Sequence, residues 1–234
     1  MLKGKNVLIT GSSSGIGWAL ALALAQEGAR LHLLGRDKTA LTELAGLVEA
    51  QGAEARTHLL ELTDDEAVRE FAEHFGGPVD VLVHSAGTVA LGSVKEADIN
   101  DLDAQHRLNL RAPYLLTQLF LKRLERAKGQ IVFLNSGAGL TARANWSAYA
   151  ASKHALKAVA DSLRGELAGT GVRVISVYPG RTASPMQAEV HKQEGKSYDP
   201  ARFIQPEDVA ALIVAALNLP PTAEVTDVSV RPPG

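Results

Sequence analysis

Thr10-Gly11-Ser12-Ser13-Ser14-Gly15-Ile16-Gly17 is the stretch that decides the fold. Before it stands the apolar run Val7-Leu8-Ile9-Thr10, which reads as a buried strand. After it a helical pattern runs over residues 16–27 and stops at Gly28. A turn so placed can bring backbone N–H groups against a pyrophosphate at a helix N-terminus, where the dipole favours an anion. Glycines permit the tight turn, the close approach and the packing of helix on strand. The spacing is Gly-x-x-x-Gly-x-Gly, not the commoner dinucleotide fingerprint. The competing reading is a loop whose glycines serve turn geometry alone, and the strand directly before the turn makes it the weaker one.

Outward from the turn, short apolar runs alternate with longer helical segments. Further strands are expected at residues 30–34, 54–60, 79–84, 130–134, 172–178 and 224–230. Helices are expected at 38–51, 63–75, about 102–126, 147–167 and 206–218. Thr63, with Glu66 three residues on, reads as a capping box for the third helix. Residues 181–203, with Pro185, Gly195 and Pro200, show no firm period and are expected to be a loop, of a length that is usually functional or mobile. Strand–helix alternation of this kind implies an α/β fold. We expect residues 1–234 to form a single doubly wound domain of Rossmann type, a seven-stranded parallel sheet with helices on both faces.

Composition narrows the function classes. The 234 residues are 46% hydrophobic and 21% charged, an ordinary globular balance. Twenty-four basic against 26 acidic residues leave a net charge of −2, which lacks the footprint of a nucleic-acid binder. The absence of cysteine excludes disulfides, thiol nucleophiles and thiolate metal sites, and no metal is expected. The start, Met1-Leu2-Lys3-Gly4-Lys5-Asn6, is polar, and no run approaches a membrane span. The expectation is a cytoplasmic protein with neither nucleic acid nor membrane as partner.

The second strand is followed by Gly35-Arg36-Asp37. An acidic side chain at the end of this strand would grip the adenosine ribose of NAD, whereas an arginine nearby suits the 2′-phosphate of NADP. Gly35 leaves room and Arg36 supplies a fork of donors with fixed charge. The alternative is a surface arginine paired with Asp37.

Tyr149-Ala150-Ala151-Ser152-Lys153 opens a helix, so tyrosine and lysine lie one turn apart on one face. A phenol with a pKa of roughly 10 is a poor acid–base group at neutral pH. A nearby ammonium favours the phenolate and moves that pKa toward working range. Ser136 ends a parallel strand thirteen residues earlier, at the carboxyl edge where open α/β sheets bind ligands. The pair alone is also consistent with a helix-start tyrosine beside an exposed lysine. Joined to the serine and the glycine turn, that coincidence becomes improbable.

With these residues in place, the chain resembles the short-chain dehydrogenases/reductases. The match runs from about residue 5 to 186 and more loosely to the end, on Thr10, Gly11, Gly15, Gly17, Asn109, Ser136, Tyr149, Lys153 and Pro179-Gly180. The resemblance implies that Tyr149 is the general acid in reduction and the base in oxidation. Lys153 would lower its pKa and hold the nicotinamide ribose, Ser136 would hydrogen-bond the substrate oxygen, and Asn109 would hold a relay water. Ser13, Ser14 and Ile16 would join the glycines on the cofactor, with Ser85, Ala86 and Gly87 approaching it. Pro179-Gly180 would border the nicotinamide, with Thr182 and Ser184 offering hydroxyls. The implied cofactor is NADP(H), with NAD as second option, and the implied assembly is a homodimer or homotetramer through the helices at 102–124 and from Tyr149.

Three departures from the family pattern stand out. The usual Asn-Asn-Ala-Gly is His84-Ser85-Ala86-Gly87, where His84 reads as a hydrogen-bonded structural residue. The acidic residue near the adenine is Glu61, one methylene longer than the family aspartate, with Leu62 beside it. The tail reads Val225-Thr226-Asp227-Val228-Ser229-Val230, without a Gly-rich segment. The substrate pocket is expected to be lined by Ser136, Gly137, Ala138, Trp146, Tyr149, Met186 and His191. That set contains no charged clamp; Arg143 and Arg181 are the candidate cations for one, the alternative being that both lie solvated. The expected function is an NADP(H)-dependent reaction on a carbonyl or alcohol. A non-catalytic dinucleotide-binding regulator or scaffold is the alternative from another class. The 3-oxoacyl carrier-protein reductases are the alternative within enzymes, weakened because Ala127 and Thr170 stand where they carry basic residues.

Overall fold

The computed structural model describes residues 2–232. Its strands are β1 (Asn6–Thr10), β2 (Arg30–Gly35), β3 (Ala55–Leu59), β4 (Val81–His84), β5 (Gln130–Leu134), β6 (Arg173–Pro179) and β7 (Asp227–Val230). They form one seven-stranded sheet in the order β3-β2-β1-β4-β5-β6-β7, and every pairing is parallel. The helices are α1 (Gly15–Gln26), α2 (Lys38–Ala50), α3 (Asp65–His74), α4 (Ile99–His106), α5 (Ala112–Ala127), α6 (Ser147–Glu166), α7 (Pro185–Gln193) and α8 (Pro206–Leu217). None is long and apolar enough to cross a membrane.

The central strands are apolar throughout because both faces are covered. On one face Val7, Ile9 and Val83 pack with Leu20 and Leu24 of α1, Leu41 and Leu44 of α2, and Val209 and Ile213 of α8. On the other, Leu8, Leu82 and Phe133 pack with Val68 of α3, Leu116 and Phe120 of α5, and Leu156 and Leu163 of α6. Strand order reverses between β1 and β4. That reversal opens a crevice at the carboxyl ends of these strands, the place such sheets present to ligands.

Several expectations are corrected. Residues 181–203 are not an irregular loop, since α7 occupies part of them, capped by Ser184, whose hydroxyl accepts from the backbone N–H of Gln187, and started by Pro185. Two of the three residues it buries, Gln187 and His191, are polar, so no apolar period betrays it. The N-cap of α3 is Asp64, not Thr63: its carboxylate accepts from Glu66 and Ala67, while Thr63 is engaged by Glu61. The long helix begins at Ile99, capped by Asp98, and is interrupted by a π turn over Arg107–Arg111. The last strand is shorter than expected because the carboxylate of Glu224 accepts from the backbone N–H of Val174, in place of a ladder bond.

Candidate active site

The glycine turn is built for close approach. Gly11 has φ +65°, and a Cβ there would lie 2.7 Å from the backbone of Ala86; a Cβ on Gly17 would run into the Gly11 carbonyl. The Thr10 hydroxyl fastens the facing strand end by accepting from the N–H groups of Ser85 and Ala86 and donating to the Val83 carbonyl. Ser14 stands at the N-cap of α1 and makes no side-chain cap. The first-turn N–H groups therefore point outward without a capping side chain, as an anion requires. Together these features fit a dinucleotide.

The adenine end differs from expectation. Asp37 does not pair with Arg36, because its carboxylate caps α2 by accepting from the Ala40 N–H. Arg36 instead donates to Glu61 at 3.2 Å. Burial alone would raise the Glu61 carboxyl, but hydrogen bonds from Thr63 and the Arg36 guanidinium outweigh it and hold it below the usual range. Ser13 lies beside Gly35, where an added Cβ would meet its hydroxyl at 3.4 Å. The Leu62 side chain is turned into the core beside Leu60 and Val68, so only its backbone is left to face a cofactor.

Ser136, Tyr149 and Lys153 converge. Ser136 stands just past β5, where its hydroxyl accepts from the Ala138 N–H and faces the Tyr149 phenol. Tyr149 is 7% exposed, and burial pushes its hydroxyl up while the nearby Ser136 hydroxyl works the other way. Lys153 Nζ donates to the Leu134 carbonyl at 2.9 Å and lies 5.9 Å from the Tyr149 ring centre. Burial lowers Lys153 to about 8. The upward shift of the phenol is set by desolvation.

Residues that carry no signal of their own in the sequence hold this triplet. Asn135 donates to the Lys153 carbonyl and accepts from the Ser136 N–H. Ser152 donates to the Tyr149 carbonyl and accepts from Asn109. Asn109 also donates to the Thr88 carbonyl and accepts from the Thr88 N–H. Both amide hydrogens are therefore committed, and the second lone pair of Oδ1 is what its side chain has left for a water. The i, i+4 spacing signalled Tyr149 and Lys153; nothing comparable marks partners brought together from the π turn before α5 and from the residue after β5.

A cleft of about 770 Å³ joins these parts. Gly11, Ser14, Gly15, Ile16, Ser85 and Gly87 line one part, and Ser136, Gly137, Ala138, Trp146, Tyr149 and Met186 another. Pro179, Gly180, Thr182 and Ser184 lie along it. The Thr182 hydroxyl donates to the Gly180 carbonyl, and that of Ser184 donates to the Thr182 carbonyl while capping α7. His191 does not reach the cleft: it is buried between Gln187, Tyr198 and Phe203. His84 is buried as a structural residue, bonded to Thr117 at 2.8 Å and stacked on Phe133, and burial lowers it to about 3.

The model of the family described as short chain dehydrogenase matches residues 5–195. An uncharacterized short-chain type dehydrogenase/reductase of Sinorhizobium fredii is 38% identical, covering 97% of this chain and 91% of the relative. An alcohol dehydrogenase from the archaeon Thermococcus sibiricus, solved with 5-hydroxy-NADP, superposes with a TM-score of 0.88 at 27% identity, covering 98% of this chain and 97% of that one. A metagenomic short-chain oxidoreductase solved with NADP gives 0.85 at 33% identity, covering 100% and 99%. The chain belongs to the short-chain dehydrogenases/reductases, nicotinamide-dependent oxidoreductases of CH–OH and C=O groups.

Proposed function

We propose that this chain interconverts a carbonyl and an alcohol on a small molecule using NADP(H), with Tyr149 as the general acid in reduction and the base in oxidation. The observation that supports it most is the convergence of Ser136, Tyr149 and Lys153 on the cleft that also holds the glycine turn. A dinucleotide-binding regulator would need the turn alone.

A nicotinamide, when bound, supplies or takes the hydride at the substrate carbon. The chain's residues handle alignment and the proton. The Ser136 hydroxyl, which lines the cleft with Tyr149, can donate to the substrate oxygen and fix it beside the phenol. Burial keeps Tyr149 protonated, so it enters reduction as a loaded acid. As the proton leaves, the phenolate is stabilised by the neighbouring Lys153 ammonium. Trp146 meets the Tyr149 ring edge-on at 5.8 Å and restrains it. Asn109, through Ser152 and Thr88, positions the start of α6 and keeps one lone pair for a relay water. Arg36 is the donor for a 2′-phosphate, which has to draw it from Glu61.

We also infer a homodimer or homotetramer through α4, α5 and α6. The support is narrower than the apolar count suggested, because Leu115, Leu116, Phe120, Leu156 and Leu163 are buried in the chain's own core. Ile99 at 67% and Tyr114 at 55% exposure remain for a second copy.

A panel of aldehydes and ketones with NADPH, read by the reduced-nicotinamide absorbance, tests the enzyme reading. Substrate-dependent loss of absorbance is expected. Tight NADPH binding with no oxidation across the panel would favour the regulator.

A further inference from the structure

Four arginines from four separate segments line the cleft. Arg143 comes from the loop before α6, Arg181 from the loop after β6, Arg202 from the turn before α8 and Arg231 from just past β7. No aspartate or glutamate is among the described residues lining it. Arg181 is offset from behind, since Nη2 donates to Glu194 Oε1 at 2.5 Å. Glu194 also takes Lys196 at 3.0 Å, so two cations share one carboxylate. Arg143 and Arg202 are exposed, and neither side chain makes an ion pair or hydrogen bond among the described residues. A cleft lined by one sign of charge focuses its field and concentrates ligands of the opposite sign.

The positive charge gathers at the Tyr149 end. The Arg181 guanidinium lies 5.9 Å from the Trp146 ring, and Trp146 packs edge-on against Tyr149. The Trp146 N–H donates to the Arg143 carbonyl at 3.2 Å, so Arg143 rides on the turn that carries the tryptophan. Arg202 precedes Phe203, whose ring meets His191 at 5.0 Å, and His191 Nε2 is 3.4 Å from Arg181 Nη1. The Arg36–Glu61 pair stands apart, beyond the ends of β2 and β3.

We propose that Arg143, Arg181 and Arg202 make the cleft selective for an anionic substrate: a ketone, aldehyde or alcohol that carries a carboxylate or phosphate away from the reacting carbon. This rests on the oxidoreductase reading above and names its substrate class. The guanidinium fork matches both anions bidentately. Leu140, Trp146 and Met186 line the same cleft and give an apolar spacer its surface. The sequence shows Arg143 and Arg181 near the site; the fold adds Arg202 from a segment remote in sequence.

The test is a matched series with NADPH: levulinate and para-acetylbenzoate against their methyl esters, and para-acetylphenyl phosphate against para-methoxyacetophenone. Each anion should be favoured over its neutral partner in kcat/KM by about tenfold or more, the scale of one charge-assisted hydrogen bond. The advantage should shrink as ionic strength rises from about 0.02 to about 0.5 M. Arg143→Gln with Arg202→Gln should collapse the anion-to-neutral ratio while the KM for NADPH moves less than that ratio. Preference for phosphate over carboxylate, or the reverse, identifies the anion. Equal ratios for charged and neutral partners in the wild type overturn the proposal, as does a ratio untouched by the double variant. If nothing is reduced, the oxidoreductase reading fails separately. Calorimetry on the NADP⁺-loaded protein then still decides the charge question, since equal affinity for para-acetylbenzoate and its ester also overturns it.

Discussion

Arg36, just past β2, donates to Glu61, just past β3, across 3.2 Å. The pair sets a carboxylate where a 2′-phosphate would seek the same guanidinium. Arg36 is 70% exposed on its side chain, so the bond with Glu61 is screened and exchangeable. Asp37, the other acid nearby, is held as the α2 cap and does not oppose the phosphate. Arg36→Ala should raise the KM for NADPH about 10- to 100-fold, or ~1.4–2.8 kcal/mol, and leave that for NADH almost unchanged. Glu61→Gln should shift preference further toward NADPH by releasing Arg36. Parallel effects of Arg36→Ala on both cofactors would show that it does not read the phosphate.

Tyr149→Phe removes the transferable proton and keeps the ring that Trp146 packs against. Turnover should fall by at least about a thousandfold, the middle of the range for loss of one general acid. Cofactor affinity, measured by calorimetry, should stay within a few-fold of wild type. Substantial residual activity on a good substrate would remove Tyr149 from the acid role.

The glycine turn and the Tyr149–Lys153 pair were legible because each is a local constraint. A missing Cβ at Gly11 and a one-turn spacing in α6 need no knowledge of distant residues. The Ser136 partnership was legible only through strand-end placement. What stayed hidden is non-local or polar. Helix α7 buries Gln187 and His191, so the hydrophobic period fails there. Arg36 finds Glu61 twenty-five residues away, a choice invisible beside the adjacent Asp37. The burial that raises Tyr149 belongs to the assembled cleft and cannot be read from the lysine one turn on.

Assembly should pass through the α4–α5 face. Ile99 and Tyr114 are exposed there although apolar, while the α5 leucines Leu115, Leu116, Leu119, Leu121 and Leu124 pack into the chain's own core. Light scattering at micromolar concentration should give a dimer or tetramer, and Ile99→Asp with Tyr114→Asp should shift it toward monomer without lowering the helical signal. A wild-type monomer at that concentration would reject the assembly, and an unchanged mass in the double variant would move the interface elsewhere.

Two buried histidines predict how stability responds to acid. His84 is lowered to about 3 by burial. His32 is lowered to about 4, by burial first and then by His58 and Arg56; His58, 3.0 Å away, shifts the same way. Their unfolded values lie near 6.5. Between the folded and unfolded values the unfolded chain binds more protons, so stability rises with pH across that window. It is fully present above about pH 6.5, declines as pH falls, and levels off near about 3 for His84 and about 4 for His32. From about pH 7 to about pH 5 the loss should be about 2 kcal/mol for a fully buried histidine such as His84. His84→Gln has no proton to gain and carries its amide to about the place of Nε2, which bonds Thr117, so its Tm should fall less than wild type over the same interval. Carboxylates held low, such as Glu61 and Glu194, begin to contribute only further down the acid range. Equal Tm losses in the two proteins between about pH 7 and about pH 5 would mean that His84 is not the group that titrates on unfolding.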